Sequence, residues 1–63
     1  MFYFKAVNDK QLGVCLRMLF AEDVRCFVET IMNDKGKIEF LIGINVSQSN
    51  FEMLRKRYEI LIS

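Results

Sequence analysis

Hydrophobic positions recur along this chain with two periods, and the changes of period divide it into five elements. In FYFKAV, residues 2–7, aromatic and β-favouring side chains alternate, which predicts a strand. Phe2, Phe4 and Ala6 fall on one face, and Tyr3, Lys5 and Val7 on the other. The spacing then becomes helical, with Leu12, Cys15, Leu16 and Leu19 along one stripe and Val14, Met18 and Phe20 widening it. Asn8 is placed to cap this helix, Gln11 stands three residues later as in a capping box, and Asp9 suits the positive end of the helix dipole. The helix is expected to end near residues 21–23.

VRCFVETIM (24–32) and IEFLIGINV (38–46) predict two further strands around the turn NDKGK. A type I turn with Gly36 in the left-handed conformation pairs Asn33 with Lys37. Counting outward sets Met32 opposite Ile38, Thr30 opposite Phe40, Val28 opposite Ile42 and Cys26 opposite Ile44, all on one nearly apolar face. A four-residue loop would instead turn Glu29 inward against Phe40, so turn chemistry and hydrophobic pattern agree. The other face then carries Ile31 opposite Glu39, Glu29 opposite Leu41, and Phe27 lying across Gly43.

The closing stretch SNFEMLRKRYEILIS (49–63) supports two readings. Ser47 or Ser49 caps a helix, Ser49 with Glu52 forms an S-x-x-E box, and Phe51, Leu54, Tyr58 and Leu61 form a helical stripe with Glu52 in reach of Lys56. Yet YEILI also has the composition of a strand. Residues 58–63 are therefore read either as the end of one helix or as a fourth strand.

The order strand, helix, strand, strand, helix gives an α+β fold. It is an antiparallel sheet of three strands, or four with the terminal one, and both helices are expected on one face. This is the split βαβ, ferredoxin-like arrangement. FYFKAV, the helix DKQLGVCLRMLFAED running into VRCFVE, and the hairpin ending GINV before a Ser-capped helix resemble the short ferredoxin-like, putative signal-transducing domains of unknown function. The resemblance spans nearly the whole chain and implies a fold rather than an activity.

Composition narrows the function. Sixty-three residues make a single domain, 1–63, which buries only about 60% of its unfolded surface. Hydrophobic residues nevertheless make up 52%, including six Phe and four Met, so part of the apolar surface is expected to serve a partner or a second copy. A formal net charge of +1 points to no acidic partner. The opening residues lack the pattern of a signal peptide, and no apolar run approaches the ~20 residues of a membrane helix. With only two cysteines, the expectation is a cytoplasmic protein without membrane contact.

Catalytic signals are nearly absent. There is no His, and the three glycines are isolated, so no phosphate-binding loop is formed. Glu29 and Glu39 are expected on a solvated sheet face rather than as an acid–base pair. Cys15 and Cys26 lack metal-ligand spacing and fall on predicted core faces, where a thiol acts as a small hydrophobe. No enzyme, cofactor or metal is expected. Arg55, Lys56 and Arg57 offer a basic segment for nucleic acid or another acidic partner, interleaved with Glu52 and Glu59. Because the helices are expected to cover the inner sheet face, the outer one is left to water with Tyr3, Val7, Phe27, Ile31 and Leu41 exposed, and Lys5, Glu29 and Glu39 supplying polar specificity. The expected function is a non-enzymatic protein-binding module, an inhibitor or regulator of a larger intracellular enzyme such as the anti-defence proteins of phage and mobile elements. It would act through this face or a strand edge, with homodimerisation as one use of it and nucleic-acid binding as the alternative.

Overall fold

The computed structural model describes residues 1–63 and contains β1 (Phe2–Ala6), α1 (Asp9–Ala21), β2 (Cys26–Met32), β3 (Ile38–Ile44) and α2 (Gln48–Ile62). The three strands form one antiparallel sheet in the order β1-β3-β2, so the fold is α+β with βαββα order. Each strand is shorter at one end than the sequence pattern suggests. Val7 leaves β1 because its N–H turns to Gln11 Oε1, 3.1 Å away. Val24 lies outside β2 because its N–H still belongs to the end of α1.

Local chemistry sets the helix boundaries. Asn8 caps α1, its Oδ1 accepting from the Gln11 N–H at 2.8 Å. The C-terminus closes as a Schellman motif: the Val24 N–H donates to the Leu19 carbonyl at 3.0 Å and the Asp23 N–H to that of Phe20 at 3.1 Å. Asp23 takes the left-handed position, with φ 56°. Ser47, not Ser49, caps α2 by accepting from Asn50 N–H at 3.2 Å. Glu52 pairs with Arg55 rather than Lys56. Residues 58–62 continue α2, so there is no fourth strand; Leu54 and Tyr58 bury into the core while the helical hydrogen bonds persist.

The β2–β3 hairpin has the register that the turn predicts, from Met32 opposite Ile38 to Cys26 opposite Ile44. Gly36 holds φ 77°, a conformation that other residues rarely adopt. Asn33 organises the loop: its N–H donates to Lys37 O at 2.8 Å, and its Oδ1 accepts from Lys35 and Lys37 N–H.

One cluster of buried residues holds the molecule together: Phe4, Ala6, Ile42 and Ile44 from the sheet, Cys15, Met18 and Leu19 from α1, and Leu54 and Tyr58 from α2. Aromatic rings tie α2 to β1. Phe51 stacks on Phe2 with centroids 4.7 Å apart, and Phe4 meets both Phe51 and Tyr58. The Tyr58 hydroxyl donates to the Lys5 carbonyl at 2.9 Å. Tyr58→Phe is expected to lower stability by about 1 kcal/mol, read as a shift of the urea midpoint at constant slope. No shift would mean that water replaces the hydroxyl at no cost.

The helices pack on β1 and on each other and leave β2 bare. This corrects the expectation of a fully covered inner face. Cys26, Val28, Thr30 and Met32, on the same face as Ile42 and Ile44, are exposed, as is Ile38. Cys26 is thus not a core thiol. Phe20, expected to widen the buried arc of α1, is 86% exposed, and Leu61 also lies outside the core. The cause is the aromatic anchoring of α2 at β1, which draws the helical layer toward that side of the sheet.

Candidate functional site

The two sheet edges differ because of the direction of their backbone groups. In an antiparallel pair, consecutive residues point their N–H and C=O alternately toward and away from the partner strand. The Asn33–Lys37 bond fixes the phase. Residues 27, 29 and 31 therefore bond to β3, and Cys26, Val28, Thr30 and Met32 present their groups outward, at an edge with no side-chain cap. Carried across β3, the same phase turns the groups of Tyr3 and Lys5 to the free edge of β1. There Tyr58 covers the Lys5 carbonyl and Gln11 takes the N–H of Val7. The β1 edge is blunted and the β2 edge is open.

The outer sheet face gathers the residues that the sequence assigns to it. Tyr3, Val7 and Phe27 are exposed, and Ile31 and Leu41 are half-buried. Tyr3 and Phe27 meet edge to face, centroids 6.2 Å apart, over Gly43. A Cβ on Gly43 would stand 2.7 Å from Phe27 Cζ and 3.0 Å from the Tyr3 ring, so the bare backbone is what lets the two rings lie across the central strand.

Glu39 differs from expectation. It is buried rather than solvated, 8% exposed, and its carboxylate receives Lys5 Nζ at 3.0 Å and Asn33 Nδ2 at 3.3 Å. The hydrogen bond from Lys5 holds its carboxyl below the ordinary 4.5, against the opposing effect of desolvation, and the Asn33 donation adds to the lowering. Asn33 is the member of this cluster that sequence reasoning missed; its place in a turn hid its reach onto the sheet. A lowered folded-state pKa contributes stability above the unfolded value, and that contribution is lost as pH falls through the folded one. The thermal midpoint is therefore expected to fall below pH 4.5, and Glu39→Gln to flatten part of that acid-side slope. An unchanged slope in the variant would exclude the linkage. Glu29 stays exposed, outside any ion pair.

The basic segment of α2 is mostly engaged within the chain. Arg55 contacts Glu52 at 2.8 Å and Glu59 at 3.1 Å, and Arg57 pairs with Glu22 across the helix–helix contact. The hydrogen bond and charge of Glu52 raise the Arg55 pKa. Lys56 alone has no acidic partner. Cys15 is buried in the core, and burial pushes its thiol up to about 12, which keeps it protonated and inert. No group of His, Cys, Asp or Glu side chains is arranged to hold a metal ion, and no helix is long and apolar enough to cross a membrane.

Beside β2 runs a groove of about 390 Å³, lined by Leu16, Phe20, Asp23, Val24, Arg25 and Cys26. It joins the uncovered inner side of β2 to the exposed end of α1. Strand β2 therefore presents an apolar inner side, an aromatic outer side and an open edge. Sequence reasoning found the outer side and this edge, and it also offered the first strand's edge if residues 58–63 were helix, which Tyr58 and Gln11 blunt instead. It missed the inner side because an apolar strand face predicts burial without saying what buries it. No protein-family model, curated protein or solved structure matches the chain.

Proposed function

We propose that this chain is a small non-enzymatic protein-binding module that works through the β2 side of its sheet, as an inhibitor or regulator of a larger protein. The observation that carries the reading is the exposure of one strand on both faces and along its edge: Phe27 outside, Val28 and Met32 inside, and the outward backbone groups between them. An edge of this kind favours strand addition, in which main-chain hydrogen bonds supply affinity and alternate side chains supply specificity. The exposed apolar side chains around it add area that water disfavours. The blunted β1 edge directs such pairing to β2.

The same proposal reads the fold as a ferredoxin-like split βαβ whose fourth strand is replaced by continuing helix, both helices lying on one face but leaving β2 uncovered. Its support is the strand order and the single core cluster shared by both helices with Phe4, Ala6, Ile42 and Ile44. The nucleic-acid reading ranks below it because Arg55 and Arg57 are already neutralised by Glu52, Glu59 and Glu22.

Affinity capture with quantitative mass spectrometry tests the reading. The baits are the native chain, Phe27→Glu and Val28→Lys. A protein retained by the native chain and lost with either variant supports it. Equal retention by all three baits places binding elsewhere and overturns it. Binding to nucleic acid at low salt that weakens as salt rises would favour the basic segment instead.

A further inference from the structure

Strand β2 has a two-fold complement in itself. Resting on the protein-binding reading above, we propose that, until a larger protein displaces it, the occupant of the β2 edge is a second copy of this chain, its β2 paired antiparallel with the first about an axis through Phe27.

Charge selects the register. Arg25 and Glu29 take part in no ion pair of the chain, and they stand two residues either side of Phe27. A two-fold axis at Phe27 sets Arg25 opposite the partner's Glu29 and Glu29 opposite the partner's Arg25. The parity also fits. Residues 26 and 28 carry the outward hydrogen-bonding groups, so Cys26 and Val28 exchange bonds with the partner's Val28 and Cys26. Phe27 then falls at the intervening non-bonded position, where side chains approach most closely, and Glu29 faces the partner's Arg25, the residue just before the strand begins. An axis at Val28 would face Phe27 with the partner's Glu29. An axis at Glu29 would pair more residues, but it brings the two Glu29 carboxylates together at a close position.

The inner side is complementary as well. In the Phe27-centred register, Met32, 71% exposed, passes beyond the partner's Val24 to reach the groove between that residue and Phe20. The surplus apolar residues of a short chain are thereby covered by its own copy. A standard interface takes about 800 Å² from each partner, roughly one-sixth of the 4625 Å² that the chain exposes. The β2 side with Phe20, Phe27, Val28 and Met32 is where such an area is apolar.

Sedimentation equilibrium across a concentration series tests the pairing. The native chain is expected to sediment at twice its 7.5 kDa. Arg25→Glu or Glu29→Arg alone places like charges opposite twice and is expected to raise the dimer Kd at least about tenfold. The double reversal restores the opposite signs and is expected to recover native affinity. Both positions are exposed, so circular dichroism should find all three variants folded. A native chain still monomeric near ~1 mM overturns the proposal. So does a dimer indifferent to the single reversals, or one not rescued by the double. A monomer that still captures another protein in a Val28-dependent way overturns the self-pairing while leaving the protein-binding reading intact.

Discussion

Leu19→Ala is expected to remove about 3–5 kcal/mol of stability. Leu19 is completely buried, in the cluster where α1 meets Phe4, Ile42 and Tyr58. Truncation forfeits the transfer energy of the lost carbons and leaves a void that neighbours fill only in part. At about 0.05–0.15 kcal/mol per residue, a chain of this length has roughly 3–9 kcal/mol in all. The variant is thus expected to be substantially unfolded or to melt far below the native chain. Urea denaturation followed by far-ultraviolet circular dichroism measures this. A loss under about 1 kcal/mol would mean that the core collapses onto the gap and is not the rigid cluster described here.

Val28→Lys is expected to do the reverse. The sequence pattern pairs Val28 with Ile42 on a core face, and by that pattern a lysine there should be ruinous. In the structure Ile42 is fully buried and Val28 is 41% exposed. The lysine can extend its ammonium into water, and stability should change by no more than about 0.5 kcal/mol. Binding through the β2 side should suffer instead. A charge placed in the middle of a desolvated contact costs on the order of 2–3 kcal/mol or more, about a hundredfold in Kd. The measurement is paired: the unfolding midpoint of the isolated variant, and its affinity for a second copy or a captured protein. A variant that unfolds would show that β2 is packed after all. One that stays folded and binds as before would remove Val28 from the interface.

These two residues mark the limits of legibility. Leu19 was readable because it lies at the centre of the apolar helical stripe with Leu12, Cys15 and Leu16, and Asn8 fixes the start of that helix. The hairpin register was readable down to the residue, since Gly36 marks the loop position that needs a positive φ and a slip by one would turn Glu29 inward. The outer face was readable for the same reason, including Phe27 over Gly43. Glu39 was not, because its burial depends on Lys5 arriving from β1 and Asn33 from the turn. The acidic neighbours of the basic segment, Glu52 and Glu59, were readable and pair with Arg55, but the Arg57–Glu22 pair was not, because it joins residues 35 positions apart.

By itself the sequence determined the order of the first five elements, the hairpin pairing, the cap at Asn8 and a second cap at Ser47 or Ser49. These follow from interactions within a few residues or across one tight turn, whose geometry the residue types dictate. Tertiary structure alone decided that residues 58–62 are helix, that Tyr58 blunts the β1 edge, and that β2 stands uncovered. An apolar pattern records that a face is disfavoured in water and leaves open which surface will cover it. Here α2 is anchored at β1 by Phe2, Phe4 and the Lys5 carbonyl, and the apolar face of β2 stays exposed.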